Sequence, residues 1–126
     1  MKEIGFKGNK TVYIAGPMTG MPLFNYPKFF AMEGLLIRFN HCQVMNPAAQ
    51  ECGLDYKECM RRACVNVARS DVILLLDGWE KSKGAKFEYE IAKKIGLLIV
   101  TEKDYFMELQ KFLKEENPMH KIGELK

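Results

Sequence analysis

Ser70-Asp71-Val72-Ile73-Leu74-Leu75-Leu76-Asp77-Gly78 holds the run that decides the fold, because Val72 to Leu76 shows no polar alternation at all. A strand that is apolar on both faces and rich in branched side chains belongs in the middle of a parallel sheet, where helices cover both of its faces. Leu97 to Val100 is a second wholly apolar strand. Upstream, Thr11-Val12-Tyr13-Ile14-Ala15 is β-prone and stops at Gly16-Pro17, and the short run Cys42 to Met45 is closed by Asn46-Pro47. Helical patterns lie between these strands. Pro27 fits a first helical turn, and Phe29, Phe30, Met32, Leu35, Leu36 and Phe39 then recur as one apolar stripe up to Asn40-His41. A second helix is predicted from about Asp55 to Ala68, with Tyr56, Cys59, Met60, Ala63 and Val67 on its inner side. A third runs from Gly84 to Ile95 and is capped by Gly96; a fourth, amphipathic, runs from Asp104 to Glu116 and is ended by Pro118. This alternation predicts one open α/β sheet of four or five parallel strands, with ligands bound outside the strands' carboxyl ends. Those ends are Gly16–Gly20, Asn46-Pro47, Asp77–Ser82 and Thr101.

The chain of 126 residues suits a single domain spanning 1–126, and its 48% apolar content suits a packed core. With 19 basic and 16 acidic residues interleaved, the net charge of +3 lacks the concentrated basic face of a nucleic-acid binder. No apolar run reaches the roughly 18 residues of a membrane span. Met1 to Lys10 is charged and lacks the apolar segment of a secretory signal. Cys42, Cys52, Cys59 and Cys64 form no C-x-x-C pair, and His41 and His120 sit at no ligand spacing, so no metal site is expected. Free thiols in a reducing cytoplasm are the expected state. The chain thus reads as a soluble cytoplasmic domain.

The candidate chemistry lies at the predicted sheet edge. Ser82 and Gly84 stand where a helix begins, and the unpaired N–H groups and positive dipole end there suit an anion. Glu88 follows one turn on, roughly 6 Å along the axis from Gly84, close enough for the helix start to favour its ionised, nucleophilic form. By spacing alone Glu88 reads first as a surface residue like Glu90, and Ser82-Lys83-Gly84 as a plain N-cap and turn. Tyr13, near its strand end, places a hydroxyl within reach of a carboxylate or simply fills the core. Trp79 is a core aromatic or a wall for a flat base. Gly16-Pro17-Met18-Thr19-Gly20 has the look of a backbone cradle but is neither a Walker A loop nor G-x-G-x-x-G. The loop it opens, reaching Pro27, is long enough in a small domain to suggest function.

Taken together, Tyr13-Ile14-Ala15-Gly16-Pro17, Ser70-Asp71 opening an apolar strand, and Ser82-x-Gly84-x-x-x-Glu88-x-x-x-Ala92 resemble the nucleoside 2-deoxyribosyltransferase-like superfamily. The closer likeness is to a small, mostly phage-encoded and largely uncharacterised branch. It shares Ala-Gly-Pro-Met-Thr-Gly (Ala15 to Gly20), Asn25-x-Pro27-x-Phe29 and Gly78-Trp79-Glu80-x-Ser82-x-Gly84-Ala85, and the likeness covers about residues 11–100. The resemblance implies a flavodoxin-like or Rossmann-like three-layer sandwich that cleaves or exchanges N-glycosidic bonds of nucleosides or nucleotides. It makes Glu88 the nucleophile on the sugar's anomeric carbon and Tyr13 its orienting partner, as in a retaining glycosidase. It places substrate against Gly16, Pro17, Met18, Thr19, Gly20, Asn25, Asp77, Gly78, Trp79, Ser82 and Gly84. No metal and no organic cofactor is implied.

Ser82 bears on the substrate. Transferases of free nucleosides typically carry an aspartate at that position, whereas the superfamily's deoxynucleoside 5′-monophosphate hydrolases carry serine. A carboxylate would repel phosphate; a hydroxyl beside helix N–H groups accepts it. Lys81 and Lys83 add positive charge nearby or are merely solvated. A nucleoside 5′-monophosphate hydrolase is therefore the expected activity, with a base-exchanging deoxyribosyltransferase as one alternative. The other is a catalytically weak nucleotide-binding module, which Ala63 favours. The superfamily usually has an aspartate there, eight residues before Asp71, to hold the sugar and help the base leave, and Asn66 is one turn on. Loss of such a group commonly costs about 10²–10⁴-fold. A homodimer or higher homo-oligomer is expected from the resemblance, with Met18, Met21, Phe24, Phe29 and Phe30 available either for an interface or for the core.

Overall fold

Parallel neighbours cannot be joined by tight hairpins, so each strand here must hand the chain to a crossover helix before the next begins. The computed structural model describes residues 8–50 and 55–116. Within them the order is β1 (Thr11–Ala15), α1 (Tyr26–Leu35), β2 (Gln43–Met45), α2 (Tyr56–Ala68), β3 (Val72–Leu75), α3 (Lys83–Ile95), β4 (Leu98–Thr101) and α4 (Glu102–Glu116). The sheet has four strands in the order β2-β1-β3-β4, and every pairing is parallel. The fold is a flavodoxin- or Rossmann-like three-layer α/β sandwich. Cys52, Pro118 and His120 lie outside the described residues.

Strand alternation divides the core in two, because successive side chains point to opposite faces. Val12, Ile14, Val72, Leu74 and Leu76 pack with Phe29, Met32 and Leu36 from the α1 side and Tyr105 and Leu109 of α4. Tyr13, Ala15, Ile73 and Leu75 face the other way, against Val67 of α2 and Ala85 and Ala92 of α3. Tyr13 is thereby aimed at the layer that contains Glu88. The two central strands meet closely at their ends. A Cβ on Gly16 would fall 2.8 Å from Leu76 Cβ, so only glycine lets the chain leave β1 here. Gly16→Ala should therefore lower stability by about 1–3 kcal/mol through overpacking. An unchanged denaturation midpoint would contradict that reading.

Several expectations are corrected. Phe30 is 47% exposed while Phe29 is fully buried, so Phe29 serves the core and is unavailable to any interface. Tyr56 shares the inner side of α2 with Cys59, Met60 and Ala63 but is exposed there, at the first position of a helix that Asp55 caps by accepting from the N–H groups of Lys57 at 2.9 Å and Glu58 at 3.4 Å. The apolar run of β4 looks like that of β3 in sequence, yet Leu98 and Ile99 are 45% and 37% exposed. β4 is the edge of the sheet, so among the described residues its outer side has no neighbouring strand. The fourth helix starts two residues early, at Glu102. Cys42 and Cys64 are free, but Cys59 is disulfide-bonded, against the expectation of free thiols throughout. It sits only partly buried in the opening turn of α2, where a thiol is open to pairing in a way that the buried Cys42 is not. No described helix is long and apolar enough to cross a membrane. No group of three or more potential metal-ligating His, Cys, Asp or Glu residues occurs among the described residues.

Candidate functional site

From β1 the chain moves to β2 on one side and then to β3 on the other. The strand order reverses there, and a crevice opens at the carboxyl ends of β1 and β3. A cleft of about 1350 Å³ occupies this point. The exit from β1 lines it with Gly16, Pro17, Met18 and Thr19, and the exit from β3 with Asp77 and Gly78. The start of α3 adds Ser82 and Gly84, while Tyr13 and Glu88 contribute from β1 and the second turn of α3.

The Tyr13 hydroxyl donates to Glu88 Oε2 at 2.6 Å, across 75 residues of sequence. Burial pushes the Glu88 carboxyl up to about 7, and the bond from Tyr13 opposes that rise. Loss of hydration thus works against the ionised form that the helix start was expected to favour. Burial, reinforced by the Glu88 charge, also raises Tyr13, which stays a phenol and a hydrogen-bond donor. The carboxylate is thus poorly solvated, fixed at one oxygen, and poised near neutrality, a condition that suits a nucleophile or an acid–base group.

Ser82 caps α3. Its Oγ accepts the Ala85 N–H at 3.2 Å, and its carbonyl accepts the Lys86 N–H at 2.9 Å. The Lys83 and Gly84 amides, the first two of the helix, have no intrahelical acceptor to reach, and both residues line the cleft. As a plain N-cap, the Ser82 hydroxyl still has a proton to donate. Gly78 has φ 89°, and a Cβ there would approach Pro17 Cγ to 3.3 Å, so this turn is also tied to the end of β1.

Three expected residues do not line the cleft. Gly20 is exposed with φ 82°, and Asn25 lies in a turn where Leu23, Phe24 and Asn25 are all left-handed. Trp79 packs against Tyr89 of α3, with ring centroids 4.6 Å apart. It opens a short turn, Trp79–Lys81, that folds the indole against the helix.

Further cleft residues come from α2, of which the sequence reading weighed Ala63 and Asn66 and missed Cys59, Met60 and Arg62. Cys59, Met60 and Ala63 lie on the inner face of α2, and that face is a cleft wall, with Arg62 and Asn66 beside them. Asn66 Nδ2 donates to Gln50 Oε1 at 2.9 Å, joining α2 to the loop after β2. A helical stripe shows which residues face inward; it does not show whether protein or open space meets them. Ala63, 8% exposed, brings only a methyl group to that wall.

Residues 10–101 match the model of a family described as "Domain of unknown function (DUF4406)", a span that takes in every residue of the cleft. No curated protein and no solved structure matches the chain.

Proposed function

We propose that this chain, which belongs to the DUF4406 family, hydrolyses the base–sugar bond of a (deoxy)nucleoside 5′-monophosphate. The observation that carries the reading is the Tyr13–Glu88 pair, 2.6 Å apart, in a cleft that also holds the start of α3. Ionised Glu88 attacks the anomeric carbon, and the bonding pair leaves with the base nitrogen, which takes a proton from solvent. The resulting glycosyl ester is then hydrolysed by water. Its hydroxyl goes to the anomeric carbon, its proton to solvent, and Glu88 is released with overall retention. Tyr13 holds the carboxylate in line. The 5′-phosphate is received by the Ser82 hydroxyl and the Lys83 and Gly84 amides, with Lys81, Lys83 and Arg62 supplying positive charge along the cleft. The chemistry calls on no metal and no organic cofactor.

Ser82 in place of an aspartate speaks against base exchange between free nucleosides. Ala63 supports a second reading, a nucleotide-binding module with little turnover. For either, the exposed Met21, Phe24, Tyr26 and Phe30 beside the cleft offer a surface for a second copy of the chain.

The test is a panel of ribo- and deoxyribonucleoside 5′-monophosphates and the matching nucleosides, with free base followed by chromatography. Release from monophosphates alone is expected. Silence across the panel at high enzyme concentration refutes the hydrolase. Gly84 separates function from folding. A Cβ there would meet no protein atom within 4 Å, so the fold does not require glycine. Gly84→Ala should stabilise the protein by up to about 1 kcal/mol, as alanine does in a helix. It should weaken monophosphate binding about tenfold by crowding the amides that receive the phosphate. Calorimetric titration and thermal melts read the two effects separately, and undiminished affinity would move the phosphate elsewhere.

A further inference from the structure

We propose that Glu102, which does not line the cleft, is a positioning residue for the cleft's Asp77 wall; the proposal rests on the nucleotide reading above. Glu102 is the first residue of α4 and is 5% exposed. Its Oε1 accepts the Asp77 N–H at 2.8 Å, and its Oε2 pairs with Lys28 Nζ at 3.0 Å. The sheet ladder between the central strands ends one residue earlier, where the Leu76 N–H meets the Ala15 carbonyl at 2.8 Å. The next amide, that of Asp77, is taken by a carboxylate from the start of α4. Lys28 stands in the first turn of α1, where the helix dipole disfavours a cation, and Glu102 is its counter-charge. One buried carboxylate thus joins the exit of β3, the start of α1 and the exit of β4.

The Lys28 end of this ion pair is 42% exposed, so solvent screens it and it adds little net stability. What it provides is direction, because charge-assisted bonds to both oxygens leave the Asp77 backbone one position. Asp77 and Gly78 line the cleft, and Pro17 limits Gly78 from the β1 side. The wall is therefore held by Glu102 from behind and stopped by Pro17 in front. A carboxylate so placed accepts hydrogen bonds from sugar hydroxyls, while the phosphate is received farther along, at Ser82.

The test compares wild type, Glu102→Ala, Glu102→Gln, Asp77→Ala and the Asp77→Ala/Glu102→Ala double variant. Each is titrated calorimetrically with the four common deoxynucleoside 5′-monophosphates and with inorganic phosphate, and Asp77 amide exchange is followed without ligand. Glu102→Ala should weaken nucleotide binding about tenfold or more and leave inorganic phosphate within about twofold. Glu102→Gln keeps the acceptor for Asp77 and should stay within about threefold of wild type. The double variant should bind no worse than Asp77→Ala. Asp77 exchange should quicken at least about tenfold in Glu102→Ala. Equal losses for nucleotide and phosphate would mark a merely structural staple and overturn the proposal, as would unchanged Asp77 exchange. If wild type binds none of the nucleotides, the nucleotide reading fails separately, and the exchange result still decides whether Glu102 holds the wall.

Discussion

Glu88→Gln will abolish base release, by about 10⁴-fold or more, and will make the protein more stable above neutral pH. Both effects follow from the burial of one carboxyl. Glutamine accepts the Tyr13 hydrogen bond through its carbonyl and fills the same volume, but it cannot attack carbon. The stability effect has a definite sign. The Glu88 carboxyl is carried from an ordinary 4.5 to about 7 by loss of hydration. Between those values the folded chain holds a proton that the unfolded chain has released, so stability falls as pH rises through that window. Above about 7 the loss is complete and amounts to roughly 3 kcal/mol. Glutamine carries no such penalty. Denaturant midpoints at pH 5 and pH 8 should therefore differ in wild type and lose that component of the difference in Glu88→Gln. Wild-type turnover should climb as Glu88 ionises and level off above about pH 7. Because the Tyr13 bond lowers the Glu88 pKa, Tyr13→Phe should move this limb to higher pH. Turnover by Glu88→Gln near the wild-type rate would remove Glu88 from the chemistry.

The sequence made much of this site legible because its parts are local. β3 announces itself as central by being apolar on both faces, and a parallel sheet then puts ligands at the strand ends. The Ser82 cap and the one-turn spacing to Glu88 are short-range patterns. What escaped depends on which elements meet. β4 carries the same pattern as β3 but lies at the edge, a fact that no property of Leu98 or Ile99 encodes. Met60 and Ala63 have helical spacing compatible with core or cleft. The burial that raises the Glu88 pKa gave no signal, because the helix start is readable along the chain whereas burial requires the packed layer around Tyr13. Glu102 gave no signal: its bonds to Asp77 and Lys28 span 25 and 74 positions and exist only once the exit of β3 and the starts of α1 and α4 converge.

Ala63→Asp should accelerate base release by about 10²-fold or more, the gain expected from restoring a positioned polar group beside the reacting sugar. Ala63 is the point where the resemblance and the residue part company, and the structure places it in the cleft with Tyr13 and Glu88. A carboxylate there has cleft solvent to face, so its cost is smaller than in a closed core. It still replaces a methyl group that is 8% exposed, and the variant should be less stable than wild type. A second acid near Glu88 also disfavours its ionisation, so the activity limb should shift to higher pH as the plateau rises. Ala63→Asn separates two contributions. If a hydrogen bond to the sugar suffices, asparagine recovers most of the gain; if the group must assist the departing base with a proton, only aspartate does. A folded Ala63→Asp protein no faster than wild type would show that the cleft is organised around another contact, with the Asn66–Gln50 pair next along the same wall. Release by Ala63→Asp from a silent wild type would instead identify a nucleotide binder that retains the nucleophile and lacks only the group beside it.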